Sequence, residues 1–173
     1  MKNKGLRFTI LLLIALGWII LMRNMTTPLN QSSILSFEFI GTAANAEIFL
    51  NNLETLGHTE LMKLSIYLDF IFPLLYGAAF FYGSAWACGR LANDHPLNKF
   101  RILSNMAVIA VACDFLENLA LLQLINSGPD DTYAGAAFIF AGIKFLLLTI
   151  ILLHFLVTVI ITAKEKQKAE PEL

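Results

Sequence analysis

Residues 134–163 read AGAAFIFAGIKFLLLTIILLHFLVTVIITA, and Lys144 and His154 are the only ionisable side chains in the run. A helix needs about 20 mainly apolar residues to cross a bilayer core of roughly 30 Å. This stretch meets that requirement with turns to spare. The same criterion picks out three more: Leu6 to Met22, ended by Arg23, then about Leu61 to Cys88, then about Arg101 to Ile125. The composition agrees. The 173 residues are 57% hydrophobic and only 14% charged, and the mean hydropathy is +0.69. A soluble domain carries roughly 25% charged residues, enough to cover a surface facing water. The expected fold class is therefore an all-α membrane protein. It is a four-transmembrane-helix bundle over residues 1–163 with an outer-side amphipathic helix in the first loop, followed by a tail over 164–173. The lipid bilayer is the partner this composition demands.

The formal net charge of −1 and the lack of a basic face exclude nucleic acid as a partner. Two cysteines, Cys88 and Cys113, are too few for a disulfide framework or a cysteine metal cluster. His58, His95 and His154 are dispersed along the chain, and no metal site, cofactor site or catalytic motif is legible. The first span follows Lys2, Lys4 and Arg7 and precedes Arg23-Asn24-Met25 rather than a small-residue cleavage site, so it reads as an uncleaved signal anchor.

Lysine and arginine placement sets the threading. Lys2, Lys4 and Arg7 precede the first span, and Arg90, Lys99 and Arg101 lie between the second and third. Lys164, Lys166 and Lys168 follow the fourth. The two opposite loops carry Glu38, Glu47, Glu54, Glu60, Asp130 and Asp131. The protein is expected in the cell membrane as a multi-pass protein with both termini cytoplasmic.

The outer loop over residues 24–60 is too long to be a bare connection. Leu35, Phe37 and Phe39 alternate with Ser36 and Glu38, which predicts a short strand. From Thr42 the period becomes helical. Ala46, Phe49, Leu53 and Leu56 share one face, with Thr42 as N-cap and Gly57 just past the end. This amphipathic helix either lies on the rim of the bundle or covers a cavity that opens outward. Asn93 or Asp94 ahead of Pro96 reads as a cap for the third span, and Asp130, Asp131 or Thr132 as one for the fourth.

The chemistry lies in the polar residues within the spans. Each charged side chain near a helix centre costs about 2.5–3.5 kcal/mol on insertion, so Asp69, Asp114, Glu117 and Lys144 are expected to face the bundle interior. At about 1.5 Å of rise per residue, all four fall in one layer near the midplane, while His154 lies deeper and outside it. Asp114, Glu117 and Asn118, spaced i, i+3, i+4, share one face, and Asp69 and Tyr76, seven apart, share another. Pro73 cannot donate to the carbonyl of Asp69. That leaves either an ordinary kink or a loose carbonyl suited to a cation, a water or the Lys144 ammonium.

Three acids against one lysine leave surplus negative charge in a layer of low dielectric. Four readings stay open: a polar network that pins the helices, a bound ion or proton path, a catalytic acid/base pair, and a site for a polar lipid. Stripes of small residues (Ala79, Gly83 and Ala87, then Ala137 and Ala141, with Gly135 and Gly142) suit a closely packed bundle.

The runs Asp69-Phe70-Ile71-Phe72-Pro73-Leu74-Leu75-Tyr76-Gly77 and Asp114-Phe115-Leu116-Glu117-Asn118 resemble the paired signature of a family of small uncharacterised bacterial four-span integral membrane proteins. The segment around Phe37-Glu38 and Ala46 to Gly57 is similar to theirs as well. The resemblance spans about Phe37 to Leu122. It implies the four-helix layout and a bacterial inner membrane, and it brings no assigned activity. The working expectation is a non-enzymatic membrane protein. Asp69, Tyr76, Asp114, Glu117, Asn118 and Lys144 are its ligand-binding candidates, for a small cation, a proton or a polar ligand. The alternatives are a structural scaffold or complex subunit, and a membrane enzyme acting on lipid with Tyr76 as a hydrogen-bond donor.

Overall fold

The structure, a computed structural model, describes residues 2–29, 31–91 and 95–169. Its elements are all helical. In chain order they are α1 (Lys2–Met25), α2 (Gln31–Glu38), α3 (Ala43–Thr55), α4 (Thr59–Asp69), α5 (Phe72–Cys88), a 3-10 turn (Pro96–Ile102), α6 (Leu103–Ser127) and α7 (Asp131–Ala169). Four segments are long and apolar enough to cross a membrane: Asn3–Met25, Thr59–Cys88, Asn105–Ser127 and Asp131–Lys164. The second is built from two helices, α4 and α5. Leucines and isoleucines such as Leu13, Ile20, Leu146 and Leu153 lie exposed on the outside of the bundle. That is the surface acyl chains ask for, since only satisfied helical backbone and apolar side chains sit stably against lipid.

The closest pairing is α6 with α7. Ala134, Ala137 and Ala141 are completely buried in it, and side chains this small let two backbones approach. Gly135 and Gly142 face open space instead, so that pair contributes no helix contact. α5 packs on α1, α6 and α7. A side chain at Gly77 would run into Val111 of α6, and one at Gly83 would meet the ring of Phe8 at 2.8 Å. α1 leans mainly on α5 and is the least buried of the four crossing segments.

Asp69 and Tyr76 are separated by a break in the helix rather than a smooth kink. Ile71 N–H turns back to the Leu68 carbonyl at 3.2 Å, and Pro73 falls in the first turn of α5, where its missing donor costs least. The carbonyl drawn into a contact with another helix is one residue earlier than the sequence suggests. The Trp18 indole N–H donates to the Leu68 oxygen at 3.1 Å.

One end of the bundle is capped by α2 and α3. The strand predicted around Leu35 to Phe39 is a helix. No strand lies beside it among the described residues, so its backbone groups are satisfied within the segment. Ile34, Phe37 and Glu38, spaced i, i+3, i+4, turn inward while Leu35 and Phe39 stay exposed. α3 matches its predicted extent. The Thr42 hydroxyl accepts from Asn45 N–H at 3.3 Å. At its other end Gly57 takes φ +69, and His58 N–H bonds the Leu53 carbonyl at 2.8 Å, the closure a left-handed residue allows. Ala46 and Leu53 bury, Phe49 stacks on Phe37 at 4.8 Å, and Leu56 remains 62% exposed. Phe37, Ala46, Phe49 and Leu53 join Met62, Ile66, Leu121 and Leu124 in one apolar cluster. Two aspartates lock the corner. Asp130 caps α7 by accepting from Thr132 and Tyr133 N–H at 2.8 and 3.1 Å. Asp131 of α7 accepts from Ala43 N–H at the start of α3, at 2.7 Å. Asn93 and Asp94, read as a cap for the third span, lie outside the described residues.

Candidate functional site

The inward face of α6 repeats Asp114, Glu117 and Asn118 on adjacent turns, and all three are buried to within 2% of full burial. Lys144 of α7, 4% exposed, reaches across to them. Its ammonium lies 2.8 Å from Glu117 Oε2, 3.4 Å from Asp114 Oδ1 and 3.7 Å from Glu38 Oε2. It also sits 4.9 Å from the centre of the Phe145 ring. Tyr76 of α5 donates its hydroxyl to Asp114 Oδ2 at 2.7 Å. The Asn118 amide donates to Asp69 Oδ2 at 2.9 Å and more weakly to Asp114 Oδ1 at 3.5 Å. All six residues singled out in the sequence therefore belong to one connected network, and they come from four helices.

Asp114 is the hub. Three donors converge on it: a phenol, an amide and an ammonium. Its two oxygens accept all three, Oδ2 from the phenol and Oδ1 from the amide and the ammonium. Glu117 is more sparsely served. Its Oε2 meets Lys144, while its Oε1 is buried with no hydrogen-bond partner among the described residues.

Glu38 was counted among the loop acids and missed as a member of the layer. It sits at the end of α2, outside the crossing segments, and the fold brings it down onto Lys144. The only signal for it was the Phe37-Glu38 pair inside the segment of family resemblance. Burial pushes the Glu38 carboxyl above the usual carboxylate range, and the neighbouring Lys144 ammonium offsets only part of that rise.

A cavity of about 880 Å³ opens beside the network. Glu38, Asp69, Tyr76, Asn118 and Lys144 face it on one side. Most of the remaining wall is apolar, with Ile19 and Met22 from α1, Phe72 and Phe80 from α5 and Leu148 from α7. Asp114 and Glu117 stand behind this surface, within the packed wall. The cover over the cavity also differs from expectation. Residues 26–29 and α2 line it, whereas α3 is absorbed into the neighbouring apolar cluster. α3 thus packs away from the cavity, and the shorter α2 before it borders the cavity.

Among the described residues, no group of three or more His, Cys, Asp and Glu side chains is disposed to hold a metal ion. The Lys144 ammonium sits among Glu38, Asp114 and Glu117, where such an ion would otherwise go. His154 is buried elsewhere on α7, away from this network as expected. No protein-family model, no curated protein and no solved structure matches this chain.

Proposed function

We propose that this chain is a non-enzymatic integral membrane protein that holds a polar or amphiphilic ligand in a chamber inside its helix bundle. Both termini are on the cytoplasmic side, and the α2–α3 cap is on the outer side. The observation that carries this reading is the cavity of about 880 Å³, with one polar pole and an otherwise largely apolar wall. Ligand sites are typically cavities of roughly 300–1,000 Å³ with a few convergent polar groups in an apolar lining. A layer that served only to pin helices would need no such volume. Sidedness rests on the lysine and arginine distribution. The family suggested by the Asp69 to Gly77 and Asp114 to Asn118 runs adds a layout and no activity.

Native mass spectrometry of protein released from its own membrane tests the chamber. The wild-type chain is expected to keep a low-mass amphiphile through detergent exchange. Ile19→Trp together with Leu148→Trp, which fills the apolar wall, is expected to lose it while the melting temperature holds. A wild-type chain that carries nothing and takes up no added amphiphile would sink the chamber and leave a helix-pinning scaffold.

A further inference from the structure

The geometry points to a cationic head group: we propose that the chamber takes an amphiphile bearing an ammonium, which Glu38 and Asp69 hold while the alkyl chain lies along the apolar wall. The inference rests on the chamber reading above and adds the chemistry of the ligand. Three carboxyl groups, those of Glu38, Asp114 and Glu117, share one internal cation, Lys144, and a fourth, Asp69, joins the network only through the Asn118 amide. Lys144 is turned toward Asp114 and Glu117, its two nearest partners. The two carboxyls that face the chamber keep acceptor positions to spare. Glu38 meets Lys144 only at 3.7 Å, and its buried Oε2 has no hydrogen-bond partner among the described residues. Asp69 receives the Asn118 amide on Oδ2 alone. A carboxylate offers about four acceptor positions and an ammonium brings three donors, so one ammonium could serve both groups.

The other head groups fit less well. An anionic head would enter beside four carboxyls and compete with three of them for Lys144. Arg23 also lines the chamber, but it is exposed, where water and salt screen its charge. The buried pole is what discriminates. A bare metal ion finds no three-ligand set among the described residues and would leave the apolar wall uncovered. An alkyl ammonium satisfies the pole and the wall together.

The test uses the full chain in a neutral detergent, with dodecylamine, dodecanol and dodecanoate offered at equal concentration and bound adducts weighed by native mass spectrometry. Dodecylamine is expected to be favoured over the other two by about tenfold or more, the ratio a single charge-assisted hydrogen bond supports. Glu38→Gln with Asp69→Asn should reduce that preference to near parity while dodecanol binding persists, which shows the chamber intact. Equal preference for amine and alcohol in the wild type, or a preference for dodecanoate, overturns the head-group assignment and leaves the chamber standing. An amine preference unmoved by the double variant overturns it as well. If none of the three probes binds, the chamber itself is lost. Competition by phosphatidylethanolamine in nanodiscs, against phosphatidylcholine as control, identifies the source. Displacement of the amine supports a membrane lipid carrying the ammonium, and no displacement supports a free amphiphile.

Discussion

Asp114 and Asp69 are both aspartates that accept from the Asn118 amide, yet their surroundings differ. Asp114 is almost completely buried, and three donors from three helices close on it. Asp69 is half-buried, faces the cavity and receives one amide from Asn118. The first is enclosed by protein groups, and removing any partner leaves a buried polar group short of a hydrogen bond. The second keeps unused acceptor capacity beside an open volume. The layer therefore has two parts. Asp114, Glu117 and Lys144 bind the helices to each other, and Glu38 and Asp69 line the chamber. Under the proposed reading, a helix-pinning role and a ligand role belong to different residues of one network.

The sharpest way to break this division is Lys144→Met. It strips the ammonium from three carboxyls at once, and removing one partner of a buried ion pair costs about 3–5 kcal/mol. The expected outcome is a large drop in resistance to unfolding by SDS in mixed micelles, followed by loss of helicity. Adding Glu117→Gln to Lys144→Met should recover part of the loss, because it removes the carboxyl with the shortest contact to Lys144. If Lys144→Met unfolds no more easily than wild type, the enclosed half of the layer is not a stability element and the division fails.

Matched substitutions of the two aspartates give the next largest effect. Asp114→Asn keeps the shape but weakens acceptance from Tyr76, Asn118 and Lys144 together, an expected cost of about 2–3 kcal/mol. Asp69→Asn touches one amide and a cavity wall, and should cost under about 1 kcal/mol. SDS titration of both variants reads the difference directly. Equal costs would mean that the two sites are equivalent.

Much of this was legible beforehand, for physical reasons that can be named. Four spans follow from apolar length, and the burial of Asp114, Glu117 and Lys144 follows from the cost of charge in lipid. The i, i+3, i+4 spacing placed Asp114, Glu117 and Asn118 on one face, and a single face of α6 is what the other helices meet. Thr42 and Gly57 marked α3 because capping chemistry is local. What failed was what depends on distant partners. Leu35, Phe37 and Phe39 alternate as a strand does, but alternation in a short segment does not fix its conformation where no second strand is near. That misreading also hid Glu38, because only a helical turn carries its side chain to the Lys144 side of the bundle. Whether α3 lies on the rim or covers a cavity stays open in the sequence, because an amphipathic face does not name its partner. Here Phe49 of that face stacks on Phe37 of α2.

Glu38 offers the smallest and most selective test of the division, because it lies outside the crossing segments and answers to pH. Burial holds its carboxyl above the usual carboxylate range against the pull of Lys144. The folded chain therefore binds the Glu38 proton more tightly than the unfolded chain does. The resulting stabilisation is complete at acid pH, where both states are protonated. It fades as the pH climbs from the ordinary carboxylate value through the raised one, because the unfolded chain ionises first. Glu38→Gln lacks this proton. The unfolding midpoint of wild type minus that of Glu38→Gln should thus fall from acid toward neutral pH and then level off. A flat difference would mean that Glu38 stands in water rather than buried beside Lys144. The chamber would then lose one of the two carboxyls that line it, and Asp69 would face the cavity alone.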